Sequence, residues 1–402
     1  MNNRLPDSHY SWVRLAASLA LAAIAGIGLW APVVALPTVQ AEFGVDRAGA
    51  SFPYTLTMIG FGIGGLLAGK AADRFGIVPP LALGAVCLAL GFIFAANAPS
   101  YWSFVILQAF FIGLLGVAPS FGPLVADVSL WFKKRRGIAV AIAASGNYLA
   151  GTLWSPLLTR AIEAYGWRTS FIAIGILCVV LMLPLLMVLR PKPDFVQAEP
   201  AKSSTGSLSG TPTMQALLVV AGLSCCVAMS MPQVHLIAYC GDLGYGTKAG
   251  AQMLSIMLGF GVLSRLVSGH LSDHIGGVGV LIIGSMLQCL ALLLYIPFDG
   301  LVSLYLVSAL FGLSQGGIVP SYALIVRENF PVKGSSFRIS MVLNATVFGM
   351  ALGGWLSGEI FDATGSYKYA FMHGIAWNLL NMSIAFWLFF RKRGLTAAPL
   401  TA

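Results

Sequence analysis

Charge is what this sequence has least of. Of its 402 residues 9% are charged, where a soluble globular protein carries about 25%. A surface so poor in charge would not stay dispersed in water, which excludes an ordinary soluble enzyme. Acidic side chains are scarcer still, 14 in all, and each falls in a tail, a loop or a helix end. That removes the membrane-embedded carboxylate a drug/proton antiporter would want for its lipophilic cations. The six cysteines show neither a disulfide framework nor a zinc-ligand spacing. No serine, cysteine or metal-ligand constellation has catalytic spacing, and the glycine-rich stretches lie inside apolar runs, where they serve helix packing. The chain is expected to be no enzyme and to hold no cofactor and no metal.

Apolar length is abundant: hydrophobic residues make up 58% of the chain. A helix needs about 20 mostly apolar residues to cross a bilayer core, and twelve such runs occur. They are Trp12 to Leu36, Pro53 to Ala71, Val78 to Ala98, Tyr101 to Ala126, Gly137 to Thr159, Thr169 to Leu189, Met214 to Ala238, Ala249 to Leu271, Val278 to Pro297, Leu301 to Val326, Arg338 to Ile360 and Ala370 to Phe390. The first is too long for a signal peptide, contains Trp30 and Pro32, and lacks a small-residue cleavage site, so it reads as a retained helix. The expected fold is an all-α membrane protein of twelve transmembrane helices.

With the N-terminus in the cytoplasm, 17 of the 23 Lys and Arg lie on the side of the termini, five lie on the other, and Arg265 stays inside a helix. This asymmetry predicts a multi-pass protein of the cytoplasmic (inner) membrane with both termini cytoplasmic. The net charge of +9 is then explained by topology and contact with anionic membrane lipid, and calls for no nucleic acid. The chain is expected to work as a monomer.

The sequence also repeats. Gly69-Lys-Ala-Ala-Asp73-Arg74-Phe-Gly76 follows the second run, and Gly269-His-Leu-Ser-Asp273-His-Ile-Gly276 follows the eighth, with every matching position 200 residues apart. Two six-helix pseudo-repeats are predicted: an N-terminal bundle over 1–190, a polar cytoplasmic linker over 191–212, and a C-terminal bundle over 213–402. A weaker echo relates Trp131-Phe-Lys-Lys-Arg-Arg-Gly137 to Asn329-Phe-Pro-Val-Lys-Gly334. In the loop motif Asp73 is placed to cap a neighbouring helix and to pair with a basic group, while Gly69 and Gly76 permit close approach and a turn. Gly69, Asp73, Arg74, Gly76, Gly269 and Asp273 are therefore candidate gating residues.

On these residues the chain resembles the major facilitator superfamily, whose loop signature is a Gly-x-x-x-Asp-Arg-x-Gly run. Ala41-Glu-Phe-Gly44, the 131–137 run and Ala164-Tyr-Gly-Trp-Arg168 are similar to the bacterial branch of its monocarboxylate porters and oxalate:formate antiporters. The resemblance implies alternating access, two halves rocking about a central cavity.

Arg265 is the charge inside a span. A central arginine costs at least about 2.5–3.5 kcal/mol unless it faces water or a partner, and no mid-span carboxylate is available. Gly261 and Gly269 share its helical face and are expected to leave open space beside the guanidinium, whose planar fork matches a carboxylate. In the resembled family, a helix-8 arginine four residues before a glycine binds the substrate carboxylate. Arg265 and Gly269 keep that spacing. The bland alternative is a side chain that snorkels to the interface. Two departures matter: animal monocarboxylate porters have an aspartate where this chain has Gly261, and the helix-11 lysine of oxalate porters is absent.

Other polar residues are candidates to line the cavity: Asn147 and Trp154 on one helical face of the fifth run, Gln315 and Tyr322 on the tenth. Such groups equally serve as interhelical glue worth about 0.6 kcal/mol each. Tyr54, Trp30, Asn344, Trp377 and Asn378 are weaker candidates. His235, facing Met231 and Tyr239 near the outer end of the seventh run, is the proton-coupling candidate, against the plainer reading of a packed histidine. The expected function is secondary active transport of small organic anions, most directly monocarboxylates, by alternating access and in symport with a proton. A drug/proton antiporter and a non-transporting membrane ligand sensor are the alternatives.

Overall fold

The computed structural model describes residues 6–191, 211–331 and 335–397, so most of the expected linker, 192–210, lies outside the described residues. No strand occurs among the described residues. The chain forms twelve helical rods in the order of the twelve apolar runs. The first six are α1 (His9–Phe43), α2 (Arg47–Phe75), α3 (Val78–Ala96), α4 (Tyr101–Leu130), α5 (136–165) and α6 (Trp167–Val188). The rest are α7 (Pro212–Asp242), α8 (246–275), α9 (277–294), α10 (Leu301–Asn329), α11 (Ser335–Thr364) and α12 (Tyr367–Ala397).

Local chemistry sets the starts. Ser8, Asp46, Ser100 and Thr211 each accept the backbone N–H of the residue three places on, satisfying a donor that the first turn leaves free. Gly76 (φ 85°, ψ 171°) and Gly276 (φ 74°, ψ 171°) make the same left-handed turn, α2 into α3 and α8 into α9, as the 200-residue motif spacing predicts. The outer surface is apolar: on α6, Ile176 is 52%, Val180 57% and Met187 64% exposed. A soluble protein would not present such a face.

Among the described residues, nine helices are long and apolar enough to cross a membrane by length and composition, with α8 and α9 taken as one. The α5 and α12 rods fall outside that set; α5 breaks at Ser145 into segments of 9 and 20 residues, and the longer one carries Asn147, Arg160 and Glu163. Breaks also occur at Gly26 in α1, at 316–317 in α10, and in α4, where a π-helix (Gln108–Val117) and a 3-10 turn (Ala118–Ser120) interrupt the α-helix. Irregular backbone is tolerated at membrane depth only where it is buried in protein or lines a cavity.

Two seams join the first six rods to the last six: α2 against α11, and α5 against α8. In the first, a Cβ at Gly358 would stand 2.6 Å from Ala48 Cα and one at Gly62 3.2 Å from Val347, while Thr55 Oγ1 donates to Ala351 O at 3.0 Å. In the second, Ser255 Oγ donates to Thr152 O at 2.6 Å. Toward the ends of α2 and α8 that lie with the chain termini, a Cβ at Gly65, Gly69 or Gly269 would meet nothing within 4 Å. Among the described residues the hydrogen bonds between the two halves, of Arg47 and Ala48 with Asp362, Arg47 with Asp242, Thr55 with Ala351, Thr247 with Glu163, Ser255 with Thr152 and Arg265 with Ala144, lie at mid-span or toward the opposite end, so both seams are shut at one end and parted at the other.

Candidate functional site

Arg265 sits where the second seam meets the helix breaks. The residue is only 8% exposed. Its Nη1 donates to Ala144 O at 2.5 Å, its Nε to Gly316 O at 3.3 Å, and its Cζ lies 4.5 Å from the centre of the Tyr148 ring. Ala144 ends the first segment of α5 and Gly316 stands in the break of α10, so the guanidinium answers carbonyls at the points where two helices are interrupted. No carboxylate pairs with it among the described residues.

The open space expected at Gly261 is not there. A Cβ at that position would lie 3.1 Å from Gln315 Nε2 and 3.2 Å from the Tyr148 ring, so the amide and the phenol fill the gap that glycine leaves. Gln315, fully buried, accepts a hydrogen bond from Gln233 Nε2 of α7 and donates to Met257 O of α8 at 3.4 Å. The structure thus gathers one polar layer from four rods: Tyr148, Gln233, Arg265 and Gln315.

The remaining candidates lie elsewhere. Trp154 donates Nε1 to Ala23 O of α1 at 2.9 Å and so ties α5 to α1. Tyr322 gives its hydroxyl to Asn381 Oδ1 at 2.7 Å inside the α9, α10 and α12 core, where Asn381 Nδ2 in turn holds Ser285 Oγ at 2.7 Å. Asn147 lies beside the α1 break, and its buried Oδ1 has no donor. With Ala22, Gly26, Ser120 and Phe121 it lines a cavity of about 10 Å³, enough for about one water.

His235 belongs to the shut end. It is fully buried, with Nδ1 3.0 Å from Tyr367 Oη and Nε2 2.7 Å from Gly354 O; its hydroxyl partner is Tyr367, not Tyr239. The Tyr367 and Phe361 rings carry the Arg47 guanidinium, whose Cζ is 5.8 and 4.8 Å from their centres. Arg47 Nη2 reaches Asp242 Oδ1 at 2.9 Å and Oδ2 at 3.1 Å, and Asp362 accepts the backbone N–H groups of Arg47 and Ala48 at 2.9 and 2.7 Å. This is a clamp of α2 onto α7 and α11, and beneath it a cavity of about 370 Å³ is lined by Pro37, Gln40, Ala41, Arg47 and Asp242.

The loop motifs lie at the parted end. Asp73, Arg74 and Asp273 are exposed. Neither Asp73 nor Asp273 has an ion-pair or side-chain hydrogen-bond partner among the described residues. Gly76 makes its turn, but Gly69 and Gly269 have no close neighbour to accommodate.

A bundle of apolar rods, shut at one end, parted at the other and carrying a buried polar layer at its helix breaks, defines a multi-pass membrane transporter. Residues 18–331 match the model of the Major Facilitator Superfamily, and the chain belongs to that family. Its relatives include the uncharacterized MFS-type transporter YcxA of Bacillus subtilis (strain 168), 28% identical with 83% of each chain covered. Monocarboxylate transporter 13 of Bos taurus is 27% identical over 75% of this chain and 71% of its own. Monocarboxylate transporter 11 of Homo sapiens is 25% identical over 91% of this chain and 80% of its own. Among solved structures, the nucleoside transporter NupG superposes with a TM-score of 0.73 at 15% identity, covering 92% of this chain and 98% of that one. A bacterial homologue of the human lysosomal transporter Spinster, in an inward-facing and occupied conformation, gives 0.70 at 14%, covering 94% and 96%. These are transporters, not enzymes, and a small-molecule substrate follows.

Proposed function

We propose that the protein carries small organic anions, monocarboxylates first among them, across the cytoplasmic membrane by alternating access and together with a proton. The observation that carries this reading is Arg265, a buried guanidinium with no carboxylate partner among the described residues, in a layer with Tyr148, Gln233 and Gln315. The names of two relatives, both monocarboxylate transporters, support the substrate class. A monocarboxylate would draw Arg265 from Ala144 O, exchanging a neutral acceptor for a charged one. A drug/proton antiporter would want a mid-span carboxylate, which the sequence lacks. In this proposal the chain works as a monomer of two rocking bundles, 1–190 and 213–402, with both termini and the parted end facing the cytoplasm. Counterflow of labelled monocarboxylates in proteoliposomes tests it: saturable binding without flux would mean a sensor, and no response to any carboxylate would remove the substrate class.

Two expected outcomes refine the mechanism. Asp73 has no partner among the described residues; in this reading its bonds form in the state in which the parted end is shut, and Asp73→Asn should lower maximal flux more than affinity. Asp273→Asn should act in the same direction. Initial rates across substrate concentrations check this: a raised KM with unchanged maximal flux would count against a gating role.

His235 is the proton-coupling candidate, one hydrogen bond behind the clamp. Uptake should rise as external pH falls, and His235→Gln should flatten that profile while leaving substrate-for-substrate exchange in place. Flux under an imposed pH gradient decides it; an unaltered profile in the variant would take His235 out of the mechanism.

A further inference from the structure

Lys133, Lys134, Arg135 and Arg136 join α4 to α5, and all four are exposed. None has a carboxylate within ion-pair distance among the described residues. The backbone beneath them is nonetheless fixed. Asp7 Oδ2 accepts the N–H groups of Lys133 and Lys134 at 3.1 and 3.0 Å, and Asp7 N donates to Trp131 O at 3.0 Å. Burial opposes the Asp7 charge, but the N–H groups of Lys134, Lys133 and Arg135 outweigh it and hold the carboxyl below its usual range. Trp131 and Phe132 are buried under the run with Leu15 and Val128. Arg14, bound to both oxygens of Asp127 at 2.8 Å, lies over the Trp131 ring at 4.6 Å.

The neighbours of this platform are apolar and exposed. Leu130 is 47% and Ile138 54% exposed, on either side of the basic run. Four cations without a carboxylate partner, Arg135 lying over the Trp12 ring at 5.9 Å and Arg136 donating to Ser129 Oγ at 3.2 Å, are bracketed by exposed aliphatic groups and match a ligand that offers a phosphate and an acyl chain together, which a free soluble anion does not. The segment they start, 136–144, ends at the carbonyl that holds Arg265.

We propose that Lys133 to Arg136 form a docking surface for the phosphate headgroups of anionic phospholipid, and that docking steadies the 136–144 segment against Arg265. The surface stands independently of the substrate; only the role of the steadied segment in transport rests on the carboxylate reading, so both tests avoid transport.

Native mass spectrometry of the purified full chain with phosphatidylglycerol and phosphatidylcholine reads retained lipid. The variant Lys133→Gln/Lys134→Gln/Arg135→Gln/Arg136→Gln should retain phosphatidylglycerol at least about tenfold less well than wild type, since each basic group near an anionic surface contributes to the attraction. Hydrogen exchange in nanodiscs, of phosphatidylcholine alone or in a roughly 2:1 mixture with phosphatidylglycerol, reads the segment. Amides of 136–148 should exchange about threefold or more slowly with phosphatidylglycerol in wild type, and show no such response in the quadruple variant. Equal retention by both proteins overturns the docking surface, as does an equal loss of retention in Arg190→Gln/Arg327→Gln, which would show charge density in place of a site. Inorganic phosphate reproducing the slowing in phosphatidylcholine overturns the lipid assignment. Exchange indifferent to phosphatidylglycerol in wild type overturns the link to Arg265.

Discussion

Arg265→Lys and Arg265→Ala should both abolish carboxylate uptake, with expression and thermal stability close to wild type. Removing one partner of a buried, hydrogen-bonded charge pair costs about 2–5 kcal/mol, so flux at low substrate should fall by at least about 30-fold. Lysine keeps the charge but loses the fork. A single ammonium at the end of a flexible chain has no plane to lay over Tyr148, and it cannot reproduce the paired directions that Arg265 takes to Ala144 O and Gly316 O. Stability should change little in Arg265→Ala because the native guanidinium is buried without a carboxylate to neutralise it, a costly arrangement that its removal relieves, and in Arg265→Lys because one buried cation replaces another. Binding of a labelled monocarboxylate to purified protein, alongside a thermal unfolding curve, checks both parts. Wild-type uptake in either variant would sink the site assignment.

The fold was legible because a bilayer imposes one simple rule on sequence, and twelve apolar runs obey it. Arg265 stood out for the same reason: a lone mid-span charge among aliphatic neighbours is visible without any structure. Its surroundings were harder to read. Tyr148 and Gln233 sit in spans where an aromatic ring or an amide is unremarkable, and Tyr148 meets α8 just past the Ser145 break. An amide in an apolar helix was the signal applied to Asn147, and applied to Gln233 it would have found that residue. Gly261 misled because a missing side chain shows room on its own helix and says nothing of what a neighbour puts there. Asp73 is a different case: it has no partner among the described residues, and a spacing motif names the turn at Gly76 but not the side chain that would meet the carboxylate. The clamp was invisible because Arg47 and Asp242 are 195 residues apart and Arg47 and Asp362 315 apart. Each looked like an ordinary charge at a helix end.

That clamp carries the second large effect. Arg47→Gln should remove the ion pair with Asp242 together with the stacking on Phe361 and Tyr367, shifting the molecule toward the state with its other end shut. Arg47 is 7% exposed while the Asp242 side chain is 37% exposed, so the pair is worth more than a free surface bridge and less than a fully buried one. A bias of about 1–3 kcal/mol is expected, or about 5- to 150-fold in the ratio of the two states. Asp362→Asn should act in the same direction and at least as strongly. Its two carboxylate oxygens each take a backbone N–H at the start of α2, and an amide offers one acceptor and sets its own N–H groups against the other donor. Spin labels at Phe75 and Ile275, both exposed at the parted end, report the change. Wild type should show one long separation, and each variant should populate a shorter one. The reversal Arg47→Asp/Asp242→Arg should recover part of the long population, because the ion pair is rebuilt while the ring stacking is not. Identical distance distributions in wild type, Arg47→Gln and Asp362→Asn would mean that the α2·α11 seam is held by its close glycine contacts at Gly358 and Gly62 alone, and that the ions at its end do not set the balance between states.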